Sequence, residues 1–543
     1  MSKQRIAIVS VSVLAIIVAP AIFIFNMSLP DVPSQEWWDD CPLDQICSTT
    51  APQSTYTPQY THTPDPTPTC RPTTTCPPAS TALPTSTLLP TSTAWPTQPY
   101  TSTAMPALTP TPTPTAPATP VSGEVRAFPS AEGFGANSIG GHGGRVIEVT
   151  NLNNSGPGSL RAAIEANGPR IVVFRIGGTI ELQSGMNLTN PFITIAGQTA
   201  PGGGITLKNA ISNRYTPITI WTHDVIIRYI RSRPGASRDP ASALDAIQMV
   251  YENAYNIILD HCSFSWSTDE VASTWGSARD ITIQWCIIAE GLNDSTNKKG
   301  PHSCGLILGS DGAHSISVHH NLLAHHSDRS PRIKTGGLVD FVNNVIYNPG
   351  AQAGLFSAGS LINYVGNYVV AGADTDTYEV KAYAPTYVLG NIGPHRPTND
   401  LPESFIVRSD LRYNLVDTRF DAPAVITQSA LLAHDYILAD AGANAGIDCT
   451  GVFYERRDTV DARIVNDVIN GTGSIIDDPS EVGGWPALAA GTPCTDADHD
   501  GMPDEWENIH GFDPNDDADG PADTDGDGYT NIEEYLNGTE PND

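Results

Sequence analysis

Along one stretch of the chain, side chains that can hold a metal or move a proton arrive sorted by charge. Asp245 comes first, then Asp269 with Glu270, then Lys298, Lys299 and His302, and last Arg329, Arg332 and Lys334. The carboxylates offer the oxygen ligands that a hard divalent cation takes. The lysines and arginines suit an anionic substrate, since both pair with carboxylates through charge-assisted hydrogen bonds. One reaction type uses all of these together. A proton on carbon beside a carboxylate becomes removable when the charge developing on that carboxylate is stabilised, which a bound cation can do. Other groups nearby have plainer roles: Asp260 and His261 read as braces of a turn. His319, His320, His325 and His326 invite a zinc site, but neighbours on a strand point to opposite faces, which argues against one.

A second pattern lies near the C-terminus. Asp496-x-Asp498-x-Asp500-Gly501 is followed by Met502 at the seventh position and Glu507 at the twelfth; Asp523-x-Asp525-x-Asp527-Gly528 is followed by Tyr529, Asn531 and Glu534 at the seventh, ninth and twelfth. This is the spacing of a twelve-residue Ca²⁺ loop, in which the seventh residue contributes its backbone carbonyl. Short helical segments, DEWENIH and NIEEYLNG, stand where full helix pairs would be. The segment resembles a dockerin or a thrombospondin type 3 repeat, a small EF-hand-like calcium-binding module. Docking to a protein partner and calcium-dependent rigidity are both open as its use.

The 543 residues carry 59 Asp and Glu against 28 Lys and Arg, a net charge of −31. That balance argues against nucleic acid as a partner, because phosphate binding needs basic patches. It is not a veto on acidic polymers, because the charge is unevenly placed. Residues 494–543 hold 17 of the acids and no Lys or Arg, whereas residues 123–493 hold 36 acids against 25 bases.

The elements that must position the first group show in a repeat. Short β-branched runs end at Asn321, Asn344, Asn367, Asn391 and Asn414, which are nearly evenly spaced. Cys262 and Cys286 take the same offset in two earlier runs, separated by a similar step. A period near 23 with short strands predicts an all-β stacked solenoid, a parallel β-helix, its coils about 4.8 Å apart. Asn is expected to accept the left-handed bend between strands and to hydrogen-bond to the Asn one coil away. Cys262 and Cys286 would stack as a disulfide or as small buried hydrophobes, the second being preferred. Longer steps into Cys262 and into Asn321 mark inserted loops, which in solenoids gather on one face and build the binding groove.

Several motifs carry a family resemblance: FPSAEGFGA from Phe128 to Ala136, VTNLNNSGPGSLRAAIE, DHCSF, and Arg329-x-Pro331-x-x-Lys334. Over residues 125 to 420 the chain resembles polysaccharide lyase family 1, the pectate lyases. The resemblance implies a right-handed parallel β-helix that cleaves α-1,4-linked polygalacturonate, an acidic plant polysaccharide, by Ca²⁺-dependent β-elimination to 4,5-unsaturated oligogalacturonates. By position it implies Asp245 and Asp269 as Ca²⁺ ligands with Glu270 in reach. It implies Arg329 as the base that removes the C5 proton, and Lys299 and Lys334, with His302 and Arg332, as substrate contacts. Two positions depart from the pattern: Ser273 stands where the family has a second acid, and Lys334 where it ends in Arg. Arginine has a reference pKa of about 12.5 or higher, lowered by neighbouring cations, so an alkaline optimum is expected. The rivals are a β-helix glycoside hydrolase, which needs two or three carboxylates around the scissile bond, and a non-catalytic polysaccharide-binding surface protein.

The flanks complete the plan. The run from Ile6 to Phe25 carries no charge and stands behind Lys3 and Arg5. It is long enough to span a bilayer with its basic flank in the cytoplasm, while Ala19-Pro20-Ala21 would make it a cleaved signal peptide. From Ser48 to Pro120 more than half of the chain is Thr or Pro, which reads as a semi-rigid stalk open to O-glycosylation. In it and just before it, Cys41/Cys47 and Cys70/Cys76 would close two small loops or remain thiols. The expected order is a membrane anchor or signal peptide (1–25), an extracellular stalk (26–122), a β-helix lyase domain (123–493) and a calcium-binding module (494–543), outside the cell, secreted or held at its surface.

Overall fold

A computed structural model describes residues 125–542 except 240, 241 and 311. The Ile6–Phe25 run, the Thr/Pro stalk and its cysteines lie outside the described residues, among which no helix is long and apolar enough to cross a membrane.

Each coil turns through three short strands, and the coils stack into three parallel sheets. The first has ten strands, from Arg145–Val149 to Thr386–Leu389; the second, from Gly178–Leu182 to Tyr368–Val370, and the third, from Met186–Leu188 to Lys381–Ala382, have eight each. Tyr255–Asp260, Ser263–Ser265 and Glu270–Trp275 make one such coil. Strand alternation sorts its residues: Ile257 and Leu259 enter the common core, while Ile258 faces outward onto Phe128 and Ala131. The FPSAEGFGA motif is therefore a cover for the first sheet. Its backbone is tied to outward hydroxyls, with Gly135 N donating to Thr282 Oγ1 at 2.9 Å, and a Cβ on Gly135 would collide with the Ile257 carbonyl.

The Asn ladder forms as a chain of buried amides. Asn321 Nδ2 donates to Asn344 Oδ1 at 2.9 Å, Asn344 to Asn367 at 3.2 Å and Asn367 to Asn391 at 3.0 Å. Cys262 and Cys286 continue it as free, buried thiols. Two expectations need correction. The left-handed bend is taken by the residue before the ladder, at His261, Trp285, His320, Asn343, Gly366 and Gly390, not by the ladder residue itself. Turning the chain one step early leaves the amide aimed along the stack. The ladder also stops at Asn391. Asn414 ends a 3-10 helix, Ser409–Asn414, and its amide donates to the Ala382 carbonyl. The D-L-R-Y run before it has no β-branched residue, and Arg408 pairs with Asp410 on the surface.

Two helices that the repeat did not reveal, Ala430–Asp440 and Thr459–Asn470, cover the outer face of the second sheet. Ser429 and Asp458 cap them, and Ile437, Ile464 and Val468 pack onto Ile287, Leu322 and Val345. Buried Arg233 fixes the second helix, reaching Asp458 at 2.6 Å and Asp461 at 2.7 Å. Asp260 and His261 brace a turn, with Asp260 bonded to Arg228 at 2.8 Å and to His261 at 2.9 Å. The segment from residue 494 onward packs on the first sheet, tied by a Cys449–Cys494 disulfide.

Asn344→Ala would leave the Asn321 backbone N–H without a partner in the core and take a donor from the Val318 and Val342 carbonyls; it should destabilise the fold by about 2–4 kcal/mol in denaturant unfolding. Burial depresses the pKa of His319, His325, His320 (to about 4) and His326 (to about 3). Each binds a proton more readily when unfolded, so the stability they permit is complete above the unfolded value of about 6.5 and is lost as pH falls from there toward 3. Melting temperature should drop over that window, and His320→Gln should flatten the drop; an unchanged slope would contradict the assignment.

Candidate active site

The groove is built on the outer face and leading edge of the third sheet. Register aligns Gln248, Ser273, Ile307 and Arg332 across four successive strands. On the strand Arg332–Thr335, Ile333 and Thr335 are buried, so alternation turns Arg332 and Lys334 outward. The remaining groups sit where the chain turns from the second sheet into the third. Asp245 and Asp269 lie just ahead of their strands, Glu270 opens one, and Lys299, His302 and Arg329 come from the two following coils.

Stacking brings these turns into contact. Glu270 N donates to Asp245 Oδ1 at 3.2 Å, and the Ser273 hydroxyl donates to Asp245 Oδ2. Asp269 Oδ1 meets His302 Nε2 at 2.6 Å and Lys299 Nζ at 3.4 Å. The Arg329 guanidinium pairs with the Glu270 carboxylate. Ligand atoms of Asp269, Glu270 and His302 lie within 4.8 Å of one another. The residue at Arg329 is itself tightly set. It adopts φ 63°, its N–H donates to Asp328 Oδ1 at 2.7 Å, and its carbonyl accepts from Leu306 N at 2.7 Å. Arg329 shares this left-handed backbone with bends elsewhere in the stack, such as His261, Trp285 and Asn343.

The acids differ in electrostatic state. Burial, with the Asp269 charge beside it, pushes the Asp245 carboxyl well above the usual range, against the Ser273 hydrogen bond and the Arg329 charge. Burial would raise Asp269 too, but the His302 hydrogen bond and the Lys299 charge outweigh it and hold that carboxyl low. Asp269 and Glu270, with Asp245 close enough to feel the Asp269 charge, offer buried hard oxygens of the kind Ca²⁺ takes. Ser273 stands beside Asp245 and supplies a hydroxyl.

In the C-terminal segment the leading acids of each motif draw together. Asp496, Asp498 and Asp500 converge, as do Asp523, Asp525 and Asp527. Met502 N donates to Asp500 Oδ1 and Tyr529 N to Asp527 Oδ1, both at 2.8 Å. Glu507 and Glu534 are buried; burial and the neighbouring acids raise them to about 8 and about 7, and Asp500 to about 7. Asn531 turns its amide nitrogen away, to the Asp519 carbonyl at 2.7 Å. Asp519, which sequence spacing did not single out because it belongs to neither loop, clusters with Asp500 and Glu507.

No family model matches the chain. It is 38% identical over 431 residues to a probable pectate lyase C of Aspergillus terreus, covering 76% of this chain and 94% of that protein. It is 25% identical over 228 residues to a pectate trisaccharide-lyase of Thermotoga maritima, covering 40% and 55% of the two chains. A solved pectate lyase bound to hexasaccharide aligns with a TM-score of 0.40 at 16% identity, over 58% of this chain and 97% of that one. With that identity sustained over 94% of the Aspergillus terreus protein, the chain belongs to the pectate lyases and is a polysaccharide lyase.

Proposed function

We propose that this enzyme cleaves α-1,4-linked polygalacturonate by β-elimination, with Arg329 as the base and Asp245, Asp269 and Glu270 as the ligands of a catalytic Ca²⁺. The observation that carries this reading is the convergence of a pinned, buried arginine with three carboxylates from neighbouring coils. When bound, Ca²⁺ supplies positive charge against the substrate carboxylate next to the reacting carbon.

The chain's own residues do the rest. Arg329 in its neutral form takes the proton from C5, the C5–H electron pair becomes the C4–C5 double bond, and the C4–O bond breaks, its oxygen gaining a proton from solvent, to which the arginine then returns its own. Glu270 must give up Arg329 for this to happen, so its pairing sets when the base is available. Arg332 and Lys334, alternate residues on one strand, hold substrate carboxylates along the groove, and Lys299 does so at its edge. His302 holds Asp269 in place through its ring nitrogen. The coils wind right-handed in this reading. The two C-terminal loops bind Ca²⁺ through Asp496, Asp498, Asp500, the Met502 carbonyl and Glu507, and through Asp523, Asp525, Asp527, the Tyr529 carbonyl and Glu534. The enzyme acts outside the cell, secreted or surface-held; the Cys449–Cys494 disulfide fits an oxidising compartment.

With polygalacturonate and Ca²⁺, ultraviolet absorbance of unsaturated chain ends should appear, and Arg329→Ala should lower its rate by about 10²–10⁴-fold while the protein still folds. Activity retained by the variant would remove Arg329 as base, and new reducing ends without the chromophore would mean hydrolysis. Ser273→Asp places a further carboxylate beside Asp245. It should lower the Ca²⁺ concentration for half-maximal rate by about tenfold and lower the melting temperature in chelator. An unchanged Ca²⁺ requirement would count against Asp245 as a ligand.

A further inference from the structure

The acidic C-terminal segment contains an arrangement that the cleavage reaction does not use. Asp496, Asp498 and Asp500 offer oxygens within 4.8 Å of one another, and so do Asp500, Glu507 and Asp519, so four carboxylates gather about that of Asp500. Glu507 is fully buried, and neither of its carboxylate oxygens has a hydrogen-bond partner. Asp498 Oδ2, Asp500 Oδ2 and Asp519 Oδ1 are buried in the same condition. Buried carboxylates without donors are costly unless a cation bridges them, and a Ca²⁺ ion takes six to eight oxygens.

Asp519 is the unexpected member, since it lies well beyond Glu507, the loop's last ligand. The approach is close: a Cβ on the adjacent Gly520 would displace the Asp500 carboxylate. The same short stretch holds the start of the helix Asn531–Asn537. Asn531 Nδ2 donates to the Asp519 carbonyl at 2.7 Å, and Ile532 N to the Gly520 carbonyl at 3.1 Å. Ile532 and Leu536 of that helix, with Met502 and Trp506 from the first loop and its helix, pack onto Ile171, Val173 and Ala196 on the outer face of the first sheet. Asp496 meets Arg175 at 3.3 Å beside this contact.

We infer that the first loop and Asp519 together hold one Ca²⁺ ion that latches the acidic segment onto the β-helix, so that the stability of the enzyme, separately from its chemistry, depends on calcium. The inference rests on the calcium reading of the first loop and adds the outside ligand and the latch. The test uses the full-length chain carrying Asp245→Asn, which weakens the groove's ion, with Ca²⁺ binding followed by calorimetry and melting measured in Ca²⁺ and in EGTA. Calcium should raise the melting temperature by about 5 °C. Asp500→Ala should remove most of that rise, leaving what the second loop contributes, and Asp519→Asn should weaken one site by tenfold or more and shrink the rise. In the chain with Asp245 intact, Asp519→Asn should leave the lyase rate at saturating Ca²⁺ unchanged. Wild-type binding and melting in Asp519→Asn alone would overturn the outside ligand while leaving the loop reading; the same result in Asp500→Ala would overturn both. Should a variant fail to accumulate, limited proteolysis of the wild-type chain decides: EGTA should open cleavage between Gly511 and Thr530, and cleavage indifferent to EGTA would overturn the latch.

Discussion

Parallel stacking in one fixed register is the constraint from which both the core and the groove follow. The amides of Asn321, Asn344 and Asn367 each close onto the Asn of the next coil, with no solvent to substitute for a lost partner. A slip by a single position would turn every inward Ile and Val outward. The same register aligns the turns: Ile247 lies beside Ala272, Glu270 beside Cys304, and Cys304 bridges to Asp328. Asp245 and Arg329, far apart in sequence, thereby reach one cluster.

Negative charge is handled in two ways along the chain. In the groove each acid has a counterpart: Asp269 has His302 and Lys299, Glu270 has Arg329, and Asp245 has the Ser273 hydroxyl and the Glu270 N–H. Such a surface can receive an anionic polymer, because its acids are already balanced and Arg332 and Lys334 add outward positive charge. In the C-terminal segment, carboxylates crowd against one another with buried oxygens left unpartnered. The net charge of −31 thus describes mostly the second region, and says little about what the first one binds.

The repeat made the solenoid legible because stacking coils need equal spacing, and the motif around Arg329 pointed to the groove. What stayed hidden depends on contacts distant in sequence. The helices Ala430–Asp440 and Thr459–Asn470 lie outside the period, though Ser429 and Asp458 at their caps and Gly471 after the second were readable signals. The bend residues were assigned one position late, because spacing identifies the ladder but not the φ of its neighbour. Asp519 belongs to no loop pattern, and its role is visible only where folding sets it against Asp500. The Cys449–Cys494 pair likewise has no spacing signature.

The central claim is that Arg329 and the acids beside it break the glycosidic bond by removing a proton, without adding water. Mass spectrometry of the products from a defined oligogalacturonate tests it most directly. The account predicts that the two fragments of each cleavage sum to the mass of the parent, one of them carrying the unsaturation. Fragments whose masses sum to the parent plus one water would contradict it.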